Sequence, residues 1–163
     1  MTDVREQGRV QQNVESKRID DDVRATPGKG GGVDFDHQWR PSTGGNWSNG
    51  PIDLPKGSGE HKLEFTLNDT SGKNLEFYGD AGSAMWVNVD SCPQTGKAHD
   101  DKKQIHDKTV ASKKKLTLKD VNDEKCDLHY ALRFKGDPWT DPATGKSYPP
   151  YEYDPEIKNG GRV

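Results

Sequence analysis

The clearest pattern of apolar and polar positions lies at residues 126–135, with the sequence CDLHYALRFK. Every second residue from Cys126 to Phe134 is apolar, and the residues between them are polar or small. Because strand side chains point alternately to the two faces of a sheet, this period of two indicates a strand with one buried and one wet face.

Shorter stretches with the same alternation occur at residues 33–39, 61–68, 74–79 and 85–89. Turn-forming residues between the second and third stretches predict a hairpin there. Many short strands separated by turns, with no strong helical segment, predict an all-β fold. We expect an antiparallel β-sandwich, Ig-like or similar, with a small β-barrel as the alternative.

The first 32 residues differ in composition from the rest of the chain. They contain none of its four Trp, five Tyr and four Phe, and they end in the glycine-rich segment TPGKGGG. Charged segments without aromatic residues bury too little apolar area to offset the loss of chain entropy. We therefore expect residues 1–32 to form a disordered N-terminal arm and linker, followed by a single sandwich domain at 33–163.

The charge and hydropathy of the sequence indicate which classes of partner are expected. The formal net charge is −3, and the one basic run, Lys113–Lys115, is short and borders a predicted strand, which favours a charged strand flank over a nucleic-acid site. No apolar run approaches the roughly 18 residues of a membrane helix, so no membrane insertion is expected. The residues after Met1 are polar, which indicates a cytoplasmic location by default.

The two cysteines, Cys92 and Cys126, follow and begin predicted strands. A disulfide between them would close a loop and stabilise the domain by roughly 4 kcal/mol. The alternative is two separate buried thiols, which is favoured for a cytosolic protein. Both alternatives stay open from the sequence.

The sequence gives little support for a metal-binding site. Cys126 and His129 stand three apart, which places them on opposite faces of a strand. Met85 has no Cys-x-His-x-Met cluster after it, so a blue-copper site is not expected. Calcium held by loop acids remains an alternative, but turn formation is favoured for these residues, which are Asp137, Asp141, Asp154 and those of segment 68–76. We expect no metal ligands and no cofactor.

Aromatic side chains are the strongest functional signal. Flat rings beside polar residues suit a sugar or protein surface, because they offer an apolar face with a polar rim. The predicted binding residues are Trp86, Trp139, Tyr148, Tyr151 and Tyr153. Two further tryptophans, Trp39 and Trp47, are expected to fix a long loop to the core.

These observations favour a non-catalytic binding domain whose partner is a glycan or a protein. No catalytic motif such as G-x-S-x-G is present, and no catalytic residue is predicted. A structural or assembly subunit that uses its arm to contact a neighbour is the second hypothesis. A calcium-dependent protein or an enzyme is the third.

Overall fold

The computed structural model describes residues 17–89 and 103–163. In chain order the elements are β1 (Arg18–Pro27), β2 (Val33–Pro41), β3 (Ile52–Leu54), β4 (His61–Asp69), β5 (Glu76–Phe77), α1 (Ala81–Ala84), β6 (Met85–Val89), β7 (Ile105–Ser112), β8 (Lys115–Asp120), β9 (Lys125–Lys135), β10 (Trp139–Thr140), β11 (Ser147–Tyr148), β12 (Tyr151–Tyr153) and β13 (Glu156–Gly160). In this part of the chain, no helix is long and apolar enough to cross a membrane.

Two sheets pack against each other. Sheet A has the strand order β2-β1-β4-β8-β7. Sheet B is built around β9, which pairs with β5 and β6 on one side and with β12 and β13 on the other, and β13 pairs in turn with β3. Phe65 of sheet A lies 5.5 Å from Tyr130 of sheet B, measured between ring centroids, and Phe35 lies 5.5 Å from Phe134. The predicted all-β sandwich is therefore confirmed.

Strand β9 behaves as its alternation predicts. Leu128, Tyr130, Leu132 and Phe134 are buried, and each points toward sheet A from the middle of sheet B. Full burial of an aromatic or leucine side chain stabilises a fold by roughly 1.5–3 kcal/mol, so this face of one strand makes a large part of the core.

Strand direction and pairing differ from the sequence expectation in two places. The pairs β1–β4 and β3–β13 are parallel, whereas the sequence predicted an antiparallel sandwich. The hairpin expected between residues 61–68 and 74–79 is wrong, because β4 belongs to sheet A and β5 to sheet B. The Asp69 carboxylate accepts hydrogen bonds from the backbone N–H groups of Ser71 and Leu75, and this turn carries the chain from one sheet to the other.

The prediction of disorder is wrong for residues 18–27, which form β1 inside sheet A between β2 and β4. Ile19, Val23 and Ala25 are buried at a period of two, but the acids between them obscure the alternation in the sequence. The glycine-rich segment is a tight connection to β2, closed by a 2.8 Å hydrogen bond from Gly28 N–H to the Gly32 carbonyl. The part of the predicted arm at residues 1–16 lies outside the described residues.

Candidate functional site

A groove of about 250 Å³ lies where the β1–β2 connection meets the C-terminal segment. The strands β10 and β11 form a small hairpin, in which the Asp141 N–H donates to the Lys146 carbonyl at 2.8 Å. The Asp141 carboxylate also accepts a hydrogen bond from the Ala143 N–H, as expected for a turn-forming aspartate. This hairpin presents Trp139 and Tyr148 beside each other.

Three of the predicted aromatic residues form one stack. The ring centroids of Trp139 and Tyr148 are 5.3 Å apart, and those of Tyr148 and Tyr151 are 5.1 Å apart. Such offset contacts contribute roughly 0.5–1.5 kcal/mol each beyond the buried area. Trp139 and Tyr148 are half-buried and line the groove, together with Phe35 of β2.

Tyr151 is the inner end of this stack. It is only 2% exposed, and its hydroxyl donates a 2.5 Å hydrogen bond to the Asp137 carbonyl. Burial is the main reason that its pKa is raised, and the negative charge of Asp137 adds to the effect. Tyr151 therefore holds Tyr148 in place and presents little surface of its own to a ligand.

Two glycines make room for the Trp139 indole. A Cβ added at Gly32 would lie 2.8 Å from the Trp139 ring atom Cη2, and one added at Gly31 would lie 3.3 Å from Nε1. Gly31 also has a φ of +88°, in the left-handed region that favours glycine. The glycine-rich segment thus forms the seat of the aromatic stack, a role that the linker interpretation missed.

Among the described residues, the charged side chains that line the groove are mainly negative. Asp34, Asp141 and Glu152 line it, and Lys29 is the basic side chain among its lining residues. Outside the lining, the Lys146 ammonium lies 5.1 Å from the centroid of the Tyr148 ring. Carboxylates accept hydrogen bonds from hydroxyl and ammonium donors, so the groove combines an apolar wall with an acceptor-rich rim.

Tyr153 lies next to this groove but belongs to a different contact group. Its ring stacks on Phe35 at 5.7 Å and meets the edge of His37 at 5.7 Å. Burial, together with the negative charges of Asp21 and Asp36, raises the pKa of Tyr153 to about 12. Its part of the surface is therefore separated from the groove by Phe35.

Trp86, one of the predicted binding residues, does not join the stack, and it is buried. It is 8% exposed, and the Arg133 guanidinium lies 3.7 Å from the centroid of its ring. Arg133 is itself held by the Glu152 carboxylate at 3.1 Å and by the Ser83 carbonyl at 3.1 Å. A charged side chain on the wet face of the sheet thus covers a tryptophan, as cation–π stacking allows.

The remaining candidate residues have separate outcomes. Trp39 donates a 3.0 Å hydrogen bond to the Gly50 carbonyl, which supports its predicted role in holding the loop. Trp47 is 38% exposed, with Arg40 over its ring. Cys126 is buried, but Cys92 lies outside the described residues, so the disulfide prediction stays open.

Acidic side chains for which calcium binding was the alternative take part in turns. Asp69 binds the N–H groups described above, and hydrogen bonds from Ser71 and Leu75 lower its pKa although partial burial opposes this shift. Asp137 accepts a 2.8 Å hydrogen bond from the Asn74 side chain. Among residues 17–89 and 103–163, no cluster of three or more His, Cys, Asp or Glu residues has the arrangement of a metal site.

Sequence reasoning missed several buried polar side chains, and one pair of them joins β1 to β2. Asp21 of β1 and His37 of β2 are 1% and 5% exposed, and the His37 Nδ1 lies 2.7 Å from the Asp21 Oδ2. The Tyr130 hydroxyl is buried as well, and neither it nor the Asp21 Oδ1 has a hydrogen-bond partner within the described residues. The signal in the sequence was the spacing of two residues, which places Asp21 on the same face of β1 as Ile19 and Val23.

Comparison with known proteins does not assign the chain to a family. No protein-family model matches the chain, and no curated protein matches it. The proposals below therefore depend on the geometry of the described residues.

Proposed function

We propose that this chain is a non-catalytic binding domain that holds a neutral sugar of a glycan in the aromatic groove. The observation that supports this most is the Trp139–Tyr148 stack, which places two half-buried rings in the wall of a groove of about 250 Å³. Apolar faces of a sugar ring pack on aromatic rings, which have both an apolar surface and a polar environment here.

The polar rim fits the same ligand. The carboxylates of Asp34, Asp141 and Glu152 are acceptors for sugar hydroxyl groups, each of which is a donor. Asp141 and Glu152 also have partners in the protein, which fixes their orientation before a ligand arrives. Preorganised groups of this kind reduce the entropy lost on binding.

A glycan array followed by titration calorimetry tests the proposal. Tyr148→Ala should weaken glycan binding about tenfold or more, because it removes the central ring of the stack. Trp47→Ala is the matched control, since it removes a partly exposed aromatic ring elsewhere and should leave the affinity unchanged. Absence of any glycan ligand, or equal losses in both variants, would contradict the proposal.

Asp34→Asn provides a second test that does not disturb the stack. An asparagine still accepts a hydrogen bond, so a neutral sugar should lose only a few-fold in affinity, and its binding should be insensitive to NaCl. A lysine-rich peptide is the competing ligand, because the groove has more acids than bases. Tight, salt-sensitive peptide binding that Asp34→Asn abolishes, without glycan binding, would replace the sugar by a basic peptide.

A further inference from the structure

A second groove lies on the outer face of sheet A, where β1, β4 and β8 come together. It has a volume of about 650 Å³, within the usual range of ligand sites. Its lining is strongly basic for a chain whose net charge is −3. The lining residues are Lys17, Arg18, Ser42, Thr43, Glu60, Lys62 and Lys119.

Strand register explains how the positive charges meet. Arg18 lies opposite Lys62 in the parallel β1–β4 pair, and Lys62 lies opposite Lys119 in the antiparallel β4–β8 pair. His106 of β7 lies opposite Lys119 on the fourth strand, but it counts as neutral in the net charge, so the row of positive charges consists of Arg18, Lys62 and Lys119. All four side chains are exposed, whereas their sequence neighbours Ile19, Leu63 and Leu118 point into the core.

This row of like charges is unfavourable for the sheet by itself. Neighbouring strands are about 4.8 Å apart, and like charges directly opposite each other destabilise a strand pair. Arg18 has a partial compensation from Asp20 at 3.2 Å and from Glu64 at 4.0 Å, and Lys119 has one from Asp107 at 3.6 Å. Within the described residues, Lys17 and Lys62 have no carboxylate within 4.0 Å, so the centre of the groove keeps its positive charge.

We propose that this groove binds a sulfated sugar chain, with its sulfate groups along the Arg18–Lys62–Lys119 row. Lysine and arginine form strong charge-assisted hydrogen bonds with such oxyanions. The hydroxyls of Ser42 and Thr43 and the carboxylate of Glu60 match the hydroxyl groups of the sugar.

A nucleic acid fits the same surface less well. The row of positive charges spans only about 10 Å across three strands, and nucleic-acid binding depends on neutralising many phosphates along an extended basic surface. Glu60 in the lining and the negative net charge of the chain both oppose a long phosphate backbone. A short sulfated segment instead needs only the few cations that the groove supplies.

This site is separate from the aromatic groove. Arg18 begins β1, whereas the aromatic groove adjoins the connection after Pro27, so the two lie about 30 Å apart along the strand. The inference therefore does not require the proposed function. Tyr148→Ala should leave binding at the basic groove unchanged.

Titration of the full chain with a sulfated octasaccharide tests this inference. In the Tyr148→Ala chain, which lacks the central ring of the aromatic groove, we expect binding at low salt that weakens as NaCl is raised, and no binding of the same octasaccharide after desulfation. Lys62→Glu should weaken binding at least ~tenfold, because it reverses the central charge of the row. Lys125→Glu is the matched control, an exposed lysine of sheet B with the same charge change, and should retain affinity.

Folding and competing ligands are controlled separately. Lys62→Gln removes one of the repelling charges, so its stability should be equal to or above that of the original chain, and it should still lose affinity. Equal binding by Lys62→Glu and Lys125→Glu would overturn the inference. Binding of the desulfated sugar by the Tyr148→Ala chain would overturn it too, as would no binding at 20 mM NaCl, where the screening length is about 20 Å. Tighter binding of a single-stranded oligonucleotide of equal charge would overturn it as well.

Discussion

Replacing His37 by Phe should destabilise the domain strongly, although the residue stays aromatic. The substitution removes the 2.7 Å hydrogen bond to Asp21 and leaves a 1% exposed carboxylate without its partner. Removing one partner of a buried charged pair typically costs about 3–5 kcal/mol. The contact between ring 37 and Tyr153, at 5.7 Å, can be kept by Phe, so the loss should come mainly from Asp21.

The double variant Asp21→Leu/His37→Phe isolates this cause. Replacing both members of a buried pair by apolar groups is often neutral or stabilising, so the double variant should lie within about 1 kcal/mol of the original chain. Urea unfolding at pH 7, followed by tryptophan fluorescence, measures the free energy of unfolding for the three proteins. A cost below about 1 kcal/mol for His37→Phe, or a double variant no more stable than the single one, would refute the reasoning.

The pH dependence of His37→Phe supplies an independent check. Burial is the largest cause of the raised pKa of Asp21, and His37 acts against it. Without His37 the pKa should rise further, so the folded state binds a proton that the unfolded state has lost above about pH 4. The stability of His37→Phe should therefore fall as the pH rises from about 4 to 7, and a flat profile would contradict this explanation.

Three further predictions concern the core. Tyr130→Phe should change the free energy of unfolding in urea by less than about 1 kcal/mol or stabilise the chain, because its buried hydroxyl has no hydrogen-bond partner among the described residues; a larger loss would indicate a missed partner. Gly160→Ala should cost about 1–3 kcal/mol in the same assay, because its Cβ would lie 2.3 Å from the Lys56 backbone N and 2.7 Å from the Leu54 carbonyl; a neutral effect would show that the backbone can shift without cost. Tyr153 should titrate with a pKa of about 12 by ultraviolet absorbance, and because this folded-state value is raised, stability should be lost as the pH passes from about 10 to 12; Tyr153→Phe should show a smaller loss, because Tyr130 and Tyr151, whose pKa values are also raised by burial, remain.

The sequence predicts β9 well because its alternation is uninterrupted and its apolar residues are large. It does not predict β1, where Asp21 occupies a buried position between Ile19 and Val23. An acidic residue at an inward position suggests that the segment is exposed to solvent unless the partner of the acid is known. The partner of Asp21 is His37, which is 16 residues away. Periodicity also carries no information on strand direction, so the parallel pairs could not be inferred from it.

The sequence predicts that aromatic residues form the candidate site, but it does not predict which of them come together. Trp139, Tyr148 and Tyr151 come together because a turn folds the C-terminal segment back on itself, and turn residues are visible in the sequence. The burial of Trp86 depends on Arg133, a contact between neighbouring strands that no local pattern specifies. The basic row was missed for the same reason, since its members come from separate strands.

The position of β13 has a consequence for synthesis of the chain. Strand β13 lies between β9 and β3, and it is the partner that attaches β3 to sheet B in the described part of the protein. Because translation proceeds from the N-terminus, sheet A has all its strands once β8 has been made, while sheet B must wait for residues 156–160. The apolar inner face of sheet A therefore emerges before its covering layer is complete, and this interval is when a chaperone or an unwanted neighbouring chain would have access to it.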